Sequence, residues 1–312
     1  MHSDPAPASD SLCVAISGAS GFIGSRLVSF LAERGHRIRR LVRDPARAGV
    51  EDILWNPVSG GIDATVLEGI DAVVHLAGEN IAGGRWTAAR KAAIRNSRVD
   101  GTRLLCENLG RLNRPPRVLI AASAVGFYGD RGDEVLTEGS PPGKGFLVDV
   151  VREWEAVTQA ARDAGIRVVN LRMGVVFGPQ GGALAQMVTV FKAGLGGRLG
   201  NGRQYVSWIA REDLVRVVEY LLLNAAVSGP VNAVSRTPVT NAELTETLGR
   251  ILHRPTLLPL PSAIIRLRFG EMGQELLLAS TRVLPEKLTT SGFSFEHADV
   301  EAALRAELGQ TP

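Results

Sequence analysis

The sequence predicts an α/β protein built on a doubly wound parallel sheet, with a smaller α/β region at its C-terminal end. Two observations carry this prediction. Short apolar runs alternate with stretches of helical periodicity along most of the 312 residues, which is typical of parallel strands joined by crossover helices. A glycine-rich turn also joins the first apolar run to the first helical stretch. Because ligands of such sheets bind beyond the carboxyl ends of the strands, we expect the functional site at that edge.

The glycine-rich turn lies within residues 12–24, LCVAISGASGFIG, where Gly18, Gly21 and Gly24 are spaced three apart. Such glycines let the backbone turn tightly, approach a ligand and pack the helix against the strand. The helix that follows ends at Gly35, and the positive end of its dipole faces the turn, where a pyrophosphate would bind. Alone, the spacing could be an ordinary tight turn, but between a strand and a helix it predicts dinucleotide binding. The predicted binding residues of the turn are Gly18, Ser20, Gly21, Phe22, Ile23 and Gly24.

The end of the second predicted strand, 37–42, bears on the choice of cofactor. Arg43 and Asp44 follow it. At this place an acidic residue binds the ribose hydroxyls of NAD, whereas an arginine accommodates the 2′-phosphate of NADP. Asp44 precedes Pro45, the usual pairing of an N-cap with the first helical residue, so its carboxylate has a structural role. Arg43 has no such role, and the sequence therefore favours NADP(H) over NAD(H).

Four more strands are predicted, at 53–55, 71–76, 117–122 and 166–177. In a parallel sheet the residues that follow the strands meet at one edge. These residues are Gly18, Arg43, Gly78, Ser123 and Gly178.

The stretch 86–109 has a helical pattern that places four polar residues on one stripe. They are Lys91, Arg95, Arg98 and Thr102. Periodicity alone leaves open whether this stripe is a solvated basic face or faces the site.

The chain divides into three expected parts. Residues 1–11 form a disordered N-terminus, 12–228 the dinucleotide-binding domain, and 229–312 a smaller domain that partly completes the substrate side. The glycine-rich loop 194–202 is either a substrate lid or a plain surface connection. In the smaller domain, Thr240 and Glu243 form a capping box that starts a helix.

Charge and cysteine content exclude several classes of protein. The net charge is +3, and the basic excess is mostly arginine scattered along the chain, so we expect neither a nucleic-acid partner nor membrane association. The balance fits a small-molecule substrate, with a weak pull on anions. Cys13 and Cys106 are too few for a disulfide framework or a metal site. Without a signal peptide or a membrane span, we expect a reduced, cytoplasmic protein, and its oligomeric state stays open.

Several motifs resemble those of the extended short-chain dehydrogenase/reductase superfamily. They are the glycine turn, His75-Leu76-Ala77-Gly78, Gly101-Thr102, Ser123 with Tyr128-Gly129, and Arg172 with Gly178-Pro179. More narrowly, the chain from about residue 12 to 304 resembles the epimerase-like branch with a C-terminal domain of unknown function, whose members are labelled epimerases or cell-division inhibitors. The stretches that carry this narrower resemblance are 76–81, 84–87, 97–98, 123–126, 154–155, 181–184, 207–209, 238–241 and 282–285. The resemblance implies a Rossmann fold and NADP(H) binding by the glycine turn, Arg43, Leu76, Ala77, Gly78, Arg98 and Arg172.

The chain departs from the superfamily at its proton-transfer residues. The usual chemistry needs a tyrosine with a lysine four residues later, because the ammonium lowers the pKa of the phenol. None of the three tyrosines has this partner, and the aligned positions hold Leu147 and Val151. Three other residues are candidates for catalysis, and each also has a purely structural explanation. Ser123 could cap the strand end, Tyr128 could pack its ring and keep its hydroxyl in solvent, and Glu79 could be a solvated loop carboxylate.

The sequence thus predicts an NADP(H)-dependent oxidoreductase or epimerase-like enzyme that acts on a small polar carbonyl or alcohol. The alternative is a catalytically inactive, cofactor-binding regulatory or scaffold protein, for example one related to cell division, because the tyrosine–lysine pair is missing. A true nucleotide-sugar epimerase is the weakest hypothesis, since that chemistry depends on the same pair.

Overall fold

The computed structural model describes residues 11–57, 61–179, 181–297 and 299–310. Its strands in chain order are β1 (Cys13–Ser17), β2 (Arg37–Val42), β3 (Ile53–Asn56), β4 (Gly61–Ile62), β5 (Ala72–His75), β6 (Val118–Ala124), β7 (Val135–Leu136), β8 (Arg167–Met173), β9 (Val175–Phe177), β10 (Tyr205–Val206), β11 (Trp208–Ala210), β12 (Gly229–Ala233), β13 (Val239–Thr240) and β14 (Arg282–Val283). Its helices are α1 (Phe22–Glu33), α2 (Ala88–Leu109), α3 (Phe146–Ala156), α4 (Gln159–Asp163), α5 (Gly182–Lys192), α6 (Arg211–Leu223), α7 (Asn241–Leu252), α8 (Ser262–Phe269), α9 (Glu271–Gly273), α10 (Glu286–Thr290) and α11 (Val300–Glu307). A π-helical turn covers Gln274–Leu278.

The central sheet of the described chain has eight strands in the order β12-β8-β6-β5-β1-β2-β3-β4. Its neighbours are parallel except for the β3–β4 pair. Helices α1 and α6 cover one face, where Leu27 and Val218 are buried, and α2 and α4 cover the other, where Leu105, Cys106 and Ala161 are buried. Helices on both faces of a parallel sheet confirm the predicted doubly wound Rossmann fold.

Two strand boundaries differ from the expectation. The predicted strand 166–177 is two strands, because the chain leaves the main sheet at Gly174 and β9 pairs with β11. A side chain at Gly174 would lie 2.5 Å from the Ser207 carbonyl oxygen, so the two backbones approach closely only with glycine there. Strand β12 pairs with β8 at the edge of the sheet. The main sheet therefore reaches Ala233 rather than ending at residue 228.

The glycine-rich loop 194–202 is tied to its surroundings. The Leu199 N–H donates to Asn241 Oδ1 at 2.7 Å, and the Gly200 N–H donates to the Leu260 carbonyl at 2.9 Å. These bonds favour a fixed connection over a lid. At the other end of the chain, residues 1–10 of the expected disordered segment lie outside the described residues, whereas Ser11 Oγ donates to the Gly35 carbonyl at 2.7 Å.

The C-terminal helices pack near the carboxyl ends of the main strands. The predicted capping box of Thr240 and Glu243 is present at the start of α7. Further along, Glu271 forms an ion pair with Lys91 of α2 at 2.6 Å, and Arg85 donates to the Leu267 carbonyl at 3.2 Å. The C-terminal region therefore contacts the segment between β5 and α2, which lies at the predicted functional edge.

Candidate cofactor site and the polar network behind it

The glycine turn has the tight geometry that the sequence predicts. Gly18 has φ +69°, and a side chain there would lie 2.9 Å from the carbonyl carbon of Leu76. A side chain at Gly24 would collide with the Gly18 carbonyl, so α1 packs directly on the turn. No side chain caps the start of α1 at Gly21, and its first turn holds no acidic residue. The N–H groups and positive dipole of α1 therefore stay available for an anion.

Ser17 and His75 fix the edge of the cleft between β1 and β5. The Ser17 hydroxyl oxygen accepts hydrogen bonds from the Leu76 and Ala77 N–H groups at 3.1 and 3.2 Å, and it lies 2.6 Å from His75 Nδ1. Because its lone pairs are used, we infer that Ser17 donates its proton to His75. Burial lowers the pKa of His75 to about 4, so the ring is neutral at physiological pH. This network holds the backbone of Leu76 and Ala77 beside Gly18.

Asp44, which follows β2, caps the next helical turn as the sequence predicts. Its carboxylate accepts from the Ala46 N–H at 3.0 Å and lies 3.5 Å from Arg47 Nε. Arg43 is exposed, and among the described residues it has no hydrogen bond or ion pair. The guanidinium of Arg43 is therefore free to meet a ligand, whereas Asp44 is occupied as a cap.

The polar stripe on α2 faces water at one end and protein at the other. Lys91 pairs with Glu271, and Arg95 pairs with Glu153 of α3. Arg98 lies over the Trp154 ring at 5.2 Å, and Thr102 accepts a hydrogen bond from Trp154 Nε1 at 2.8 Å. The stripe is thus solvated at Lys91 and Arg95, in exposed ion pairs, and packed against protein at Arg98 and Thr102.

Arg98 lies directly behind Gly78 at the end of β5. A side chain at Gly78 would lie 3.4 Å from Arg98 Cζ. Arg98 donates to the carbonyls of Ile94 and Glu79 at 3.1 and 3.0 Å, and no carboxylate pairs with it among the described residues. Burial lowers the pKa of Arg98 to about 10. The charge of Glu79 offsets the burial of Arg98 only in part, and a partly buried cation without an ion-pair partner favours an anionic or polar ligand at this edge. Glu79, beside it, is exposed and pairs with Arg90 at 2.9 Å.

A buried polar network lies behind the end of β6. Ser123 Oγ donates to Glu155 Oε1 at 2.6 Å, and Arg172 holds both carboxylate oxygens of Glu155 at 2.8 and 2.7 Å. Arg172 Nη1 donates to the Tyr128 hydroxyl at 3.0 Å, which donates to Asn232 Oδ1 at 2.7 Å. Ser123, Tyr128 and Arg172 are at most 3% exposed. The structure thus brings three predicted site residues into one network, in which their polar atoms bind one another.

The network keeps Tyr128 in its protonated form. Burial raises the pKa of Tyr128, and the charge and hydrogen bond of Arg172 only partly oppose this. Burial also disfavours the charge on Arg172, but the hydrogen bonds and charge of Glu155 outweigh it and raise the pKa of Arg172. The lowered phenol pKa of the usual tyrosine–lysine chemistry is therefore not reproduced at Tyr128.

The side-chain carboxylate of Glu275, from the C-terminal region, caps the start of α3. The aligned position of the missing tyrosine, Leu147, lies in this first turn. Glu275 accepts from the Phe146 and Leu147 N–H groups, both at 2.8 Å. A side chain at Gly145 would lie 2.9 Å from the Glu275 carboxylate. Val151, at the missing lysine position, is 2% exposed. The start of α3 is thus a contact between the two parts of the chain.

Phe22 and Ile23, two of the other residues predicted at the glycine turn, pack against the protein interior. The Phe22 ring packs against the loop that follows β9, since side chains at Gly178 and Gly181 would lie 2.5 and 2.7 Å from it. Arg211 covers the same ring at 5.2 Å, and Ile23 packs against the core. Sequence reasoning missed Glu155, Asn232 and Glu275. Of these, only Glu155 carried a signal, in the Trp154-Glu155 stretch.

The carboxylate of Glu138 extends the network beyond Asn232. Its burial predicts that the stability of the fold depends on pH. Its Oε1 accepts from the Asn232 N–H at 3.0 Å, whereas Oε2 is buried without a partner among the described residues. Burial raises the pKa of Glu138. A raised pKa in the folded state stabilises the fold below the ordinary pKa of the carboxyl, and this stabilisation is lost as the pH rises through the folded value. Glu138→Gln should therefore flatten the fall in melting temperature as the pH rises from the ordinary carboxyl pKa of 4.5 through the raised folded value.

The measurement is thermal unfolding of the wild type and Glu138→Gln across this pH range. Glutamine retains the acceptor oxygen and removes the charge, so the variant should be at least as stable at the upper end of this range. Glu134→Gln, an exposed carboxylate paired with Arg131 at 2.6 Å, is the matched control and should leave the slope unchanged. A variant that loses stability equally at every pH would contradict this interpretation of Glu138.

Together, the Rossmann sheet, the uncapped helix at a glycine turn and the free arginine after β2 define a dinucleotide-binding protein. A model of the NAD dependent epimerase/dehydratase family matches residues 14–233, and a model of a domain of unknown function, DUF1731, matches residues 260–307. The chain belongs to the NAD dependent epimerase/dehydratase family.

Relatives across bacteria and animals match nearly the whole chain. The epimerase family protein Mb2239 of Mycobacterium bovis is 45% identical over 93% of this chain and 96% of its own length. The human epimerase family protein SDR39U1 is 34% identical over 94% of this chain and 98% of its own length. The resemblance inferred from the sequence motifs is thus confirmed.

Two solved structures have folds similar to that of this chain. The human SDR39U1 structure, with NADPH, has a TM-score of 0.87 and 33% identity and covers 96% of this chain and 100% of that chain. A nucleoside-diphosphate sugar epimerase from Corynebacterium glutamicum has a TM-score of 0.81 and 37% identity over 96% of this chain and 59% of that chain. Among the described residues, no helix is both long and apolar enough to cross a membrane.

Proposed function

We propose that this chain binds NADP(H) across the carboxyl edge of its sheet and exchanges hydride with a small polar carbonyl or alcohol. The observation that carries the binding proposal is the open start of α1, which has neither a side-chain cap nor an acidic residue. The glycines also let the turn pack closely against Leu76 and the start of α1, because side chains at Gly18 and Gly24 would collide with backbone atoms there. The NADPH of the human relative supports the same assignment.

In this proposal each group at the edge meets one part of the cofactor. The turn Gly18–Gly24 donates backbone N–H groups to the diphosphate, and Arg43 binds the 2′-phosphate bidentately. Leu76, Ala77 and Gly78 lie along the nucleoside side, where Ser17 holds the backbone of Leu76 and Ala77. Arg98 supplies positive charge behind Gly78. Arg172, by contrast, is buried against Glu155 and supports the site through Ser123 rather than by cofactor contact.

Proton transfer in this proposal uses Ser123 and Glu155 in place of the absent tyrosine and lysine. The nicotinamide of the cofactor supplies or takes the hydride. When a substrate hydroxyl gives its proton to Ser123 Oγ, the serine's own proton passes to Glu155 Oε1, 2.6 Å away. The reverse transfer serves carbonyl reduction. Arg172 fixes the Glu155 carboxylate in the orientation that receives this proton.

The cofactor preference is tested by titrating nicotinamide fluorescence with NADPH and NADH. Arg43→Ala should weaken NADPH binding at least about tenfold, since a charged hydrogen-bond pair is worth about 1.5–3 kcal/mol, and it should leave NADH binding unchanged. Arg47→Ala is the matched control, because Arg47 is exposed nearby and pairs with Asp44. Equal binding of both cofactors by the wild type would contradict the preference for NADP(H).

A second candidate is a cofactor-binding regulator without turnover. It is favoured by the occupied polar atoms of Ser123 and Tyr128 and by Leu147 and Val151 at the usual catalytic positions. If the enzyme hypothesis holds, Ser123→Ala should lower turnover of a responsive carbonyl by about 100-fold or more, as expected for loss of a general acid–base group, with NADPH affinity retained. Folded protein that binds NADPH but oxidises none across a broad carbonyl panel favours the regulator.

A further inference from the structure

Two segments of the chain carry basic residues and no acidic ones. Residues 181–211 and 247–270 contain eight arginines and lysines and no aspartate or glutamate. The rest of the chain carries 27 basic and 32 acidic residues, because the whole has 35 and 32. The basic residues are scattered along the chain as expected, but outside these two segments acidic residues outnumber them.

The fold brings the two segments side by side. The Leu260 N–H donates to the Arg198 carbonyl, and the Gly200 N–H to the Leu260 carbonyl, both at 2.9 Å. Arg254 Nε donates to the Lys192 carbonyl at 3.2 Å. Helix α8 follows directly at Ser262, whose Cβ would lie 3.7 Å from a side chain at Gly200. The two stretches thus form one surface, which we call the basic–apolar surface.

Large apolar side chains are exposed on this surface. Leu257 is 83% exposed, Leu267 78%, Leu195 63%, Leu258 58% and Ile264 49%. On α8, Ile264 and Leu267 are three residues apart and share an outward face, while Ile265 between them is buried. Exposed leucines grouped in this way mark an interaction site more often than a bare surface.

Exposed cations surround these leucines without counter-charges. Lys192, Arg198, Arg254, Arg266 and Arg268 are all exposed. None of them forms an ion pair with a carboxylate among the described residues, whereas Arg26, Arg40, Arg90 and Arg131 elsewhere do. Arg266 meets only the neutral amide of Gln274, at 2.8 Å. Arg250 and Arg211 of the same segments are paired, with Glu301 and Glu212, so the positive charge that the surface presents comes from the unpaired cations.

We propose that the basic–apolar surface docks onto a lipid bilayer with anionic headgroups. Leucines and an isoleucine on α8 and the preceding segment would enter the boundary between headgroups and acyl chains. The surrounding arginines and Lys192 would bind lipid phosphates, and each cation adds to the attraction of an anionic leaflet. A nucleic acid would match the charge but would gain little from five exposed aliphatic side chains. The contact is peripheral and needs no membrane-spanning helix, but it departs from the expectation, drawn from the total charge, that the chain has no membrane association.

Vesicle co-sedimentation of the full chain tests this proposal. The wild type should bind phosphatidylcholine vesicles that contain phosphatidylglycerol, should bind pure phosphatidylcholine weakly, and should lose binding as salt is raised. The triple variants Leu257→Ser/Leu258→Ser/Leu267→Ser and Arg254→Gln/Arg266→Gln/Arg268→Gln should each reduce the partition coefficient at least about tenfold.

Matched controls remove the same chemistry elsewhere on the surface. Arg111→Gln/Arg114→Gln/Arg117→Gln removes three exposed arginines, and Val50→Ser/Val135→Ser removes exposed apolar side chains. Both should bind the anionic vesicles like the wild type, and NADPH titration with urea unfolding verifies the fold of every variant. The proposal is overturned if the wild type ignores anionic vesicles or if the controls lose binding equally. It is also overturned if the leucine triple instead abolishes self-association seen by size-exclusion chromatography, which would assign the surface to a second copy of the chain.

Discussion

Replacing Arg172 with methionine is expected to lower the free energy of unfolding by about 3–5 kcal/mol, the usual effect of removing one partner of a buried ion pair. The side chains of Arg172 and Glu155 are 4% and 12% exposed. Methionine retains much of the packing against Phe127, whose ring lies 3.5 Å from the guanidinium carbon. It leaves the Glu155 carboxylate buried with only Ser123 as a partner, and it deprives Tyr128 of its donor. The shift in the midpoint of urea unfolding measures the loss.

A double-mutant cycle separates the ion pair from simple packing. Arg172→Met/Glu155→Leu removes both charges, so it should be more stable than Arg172→Met alone. The solvent-facing pair Arg103 and Asp100, 3.0 Å apart, is the control, and Arg103→Met should change stability by less than about 1 kcal/mol. If the double variant were no more stable than Arg172→Met, packing rather than unpaired charge would explain the loss.

The sequence predicts well what local backbone geometry determines. The Gly18–Gly24 turn, the cap by Asp44, the helix end at Gly35 and the capping box of α7 all depend on residues within a few positions of one another, and the structure has each of them. The parallel strands follow for a similar reason, since a buried strand needs a continuous apolar run. These features identify the fold and the edge at which we propose that the cofactor binds.

The network behind β6 illustrates why the interior of the site could not be predicted. Ser123, Glu155, Arg172 and Asn232 come from β6, α3, β8 and β12, and nothing in their spacing indicates that they meet. The sequence predicts Ser123 as a group that faces substrate but does not indicate its partner, a carboxylate 32 positions away to which its hydroxyl donates. The capping of α3 by Glu275 is similarly non-local. Spacing therefore nominates polar residues, but only tertiary contacts assign their partners.

The charged surface was missed for a related reason. The total net charge hides the two basic segments, because the rest of the chain is net acidic. The segments are also separated in sequence by 35 residues, which include the acidic start of α6. Only the contact of Leu260 with Arg198 and Gly200 shows that they form one surface. Because Leu267 of that surface also receives the Arg85 hydrogen bond, any partner of the surface lies next to the segment that borders the cofactor edge.

Gly24→Ala is expected to destabilise the fold by about 3 kcal/mol, at the upper end for an added methyl group in a packed region. The new Cβ would collide with the Gly18 carbonyl and would lie 2.8 Å from its carbonyl carbon. Both contacts are to backbone, so no side chain can rotate away, and α1 must move off the turn. NADPH affinity should therefore fall at least about tenfold, because the diphosphate depends on the placement of the α1 N–H groups.

Gly101→Ala is the matched control for this substitution. Gly101 is also buried in a helix, but its nearest neighbours, Pro57 Cβ and Trp55, would lie 3.6 and 4.0 Å from the new methyl group. Alanine there should stabilise the fold by up to about 1 kcal/mol, since it replaces glycine in a helix interior. Urea unfolding and NADPH titration of both variants separate the two effects. Stable Gly24→Ala protein with wild-type NADPH affinity would show that the diphosphate does not lie at this turn, and the cofactor assignment would fail with it.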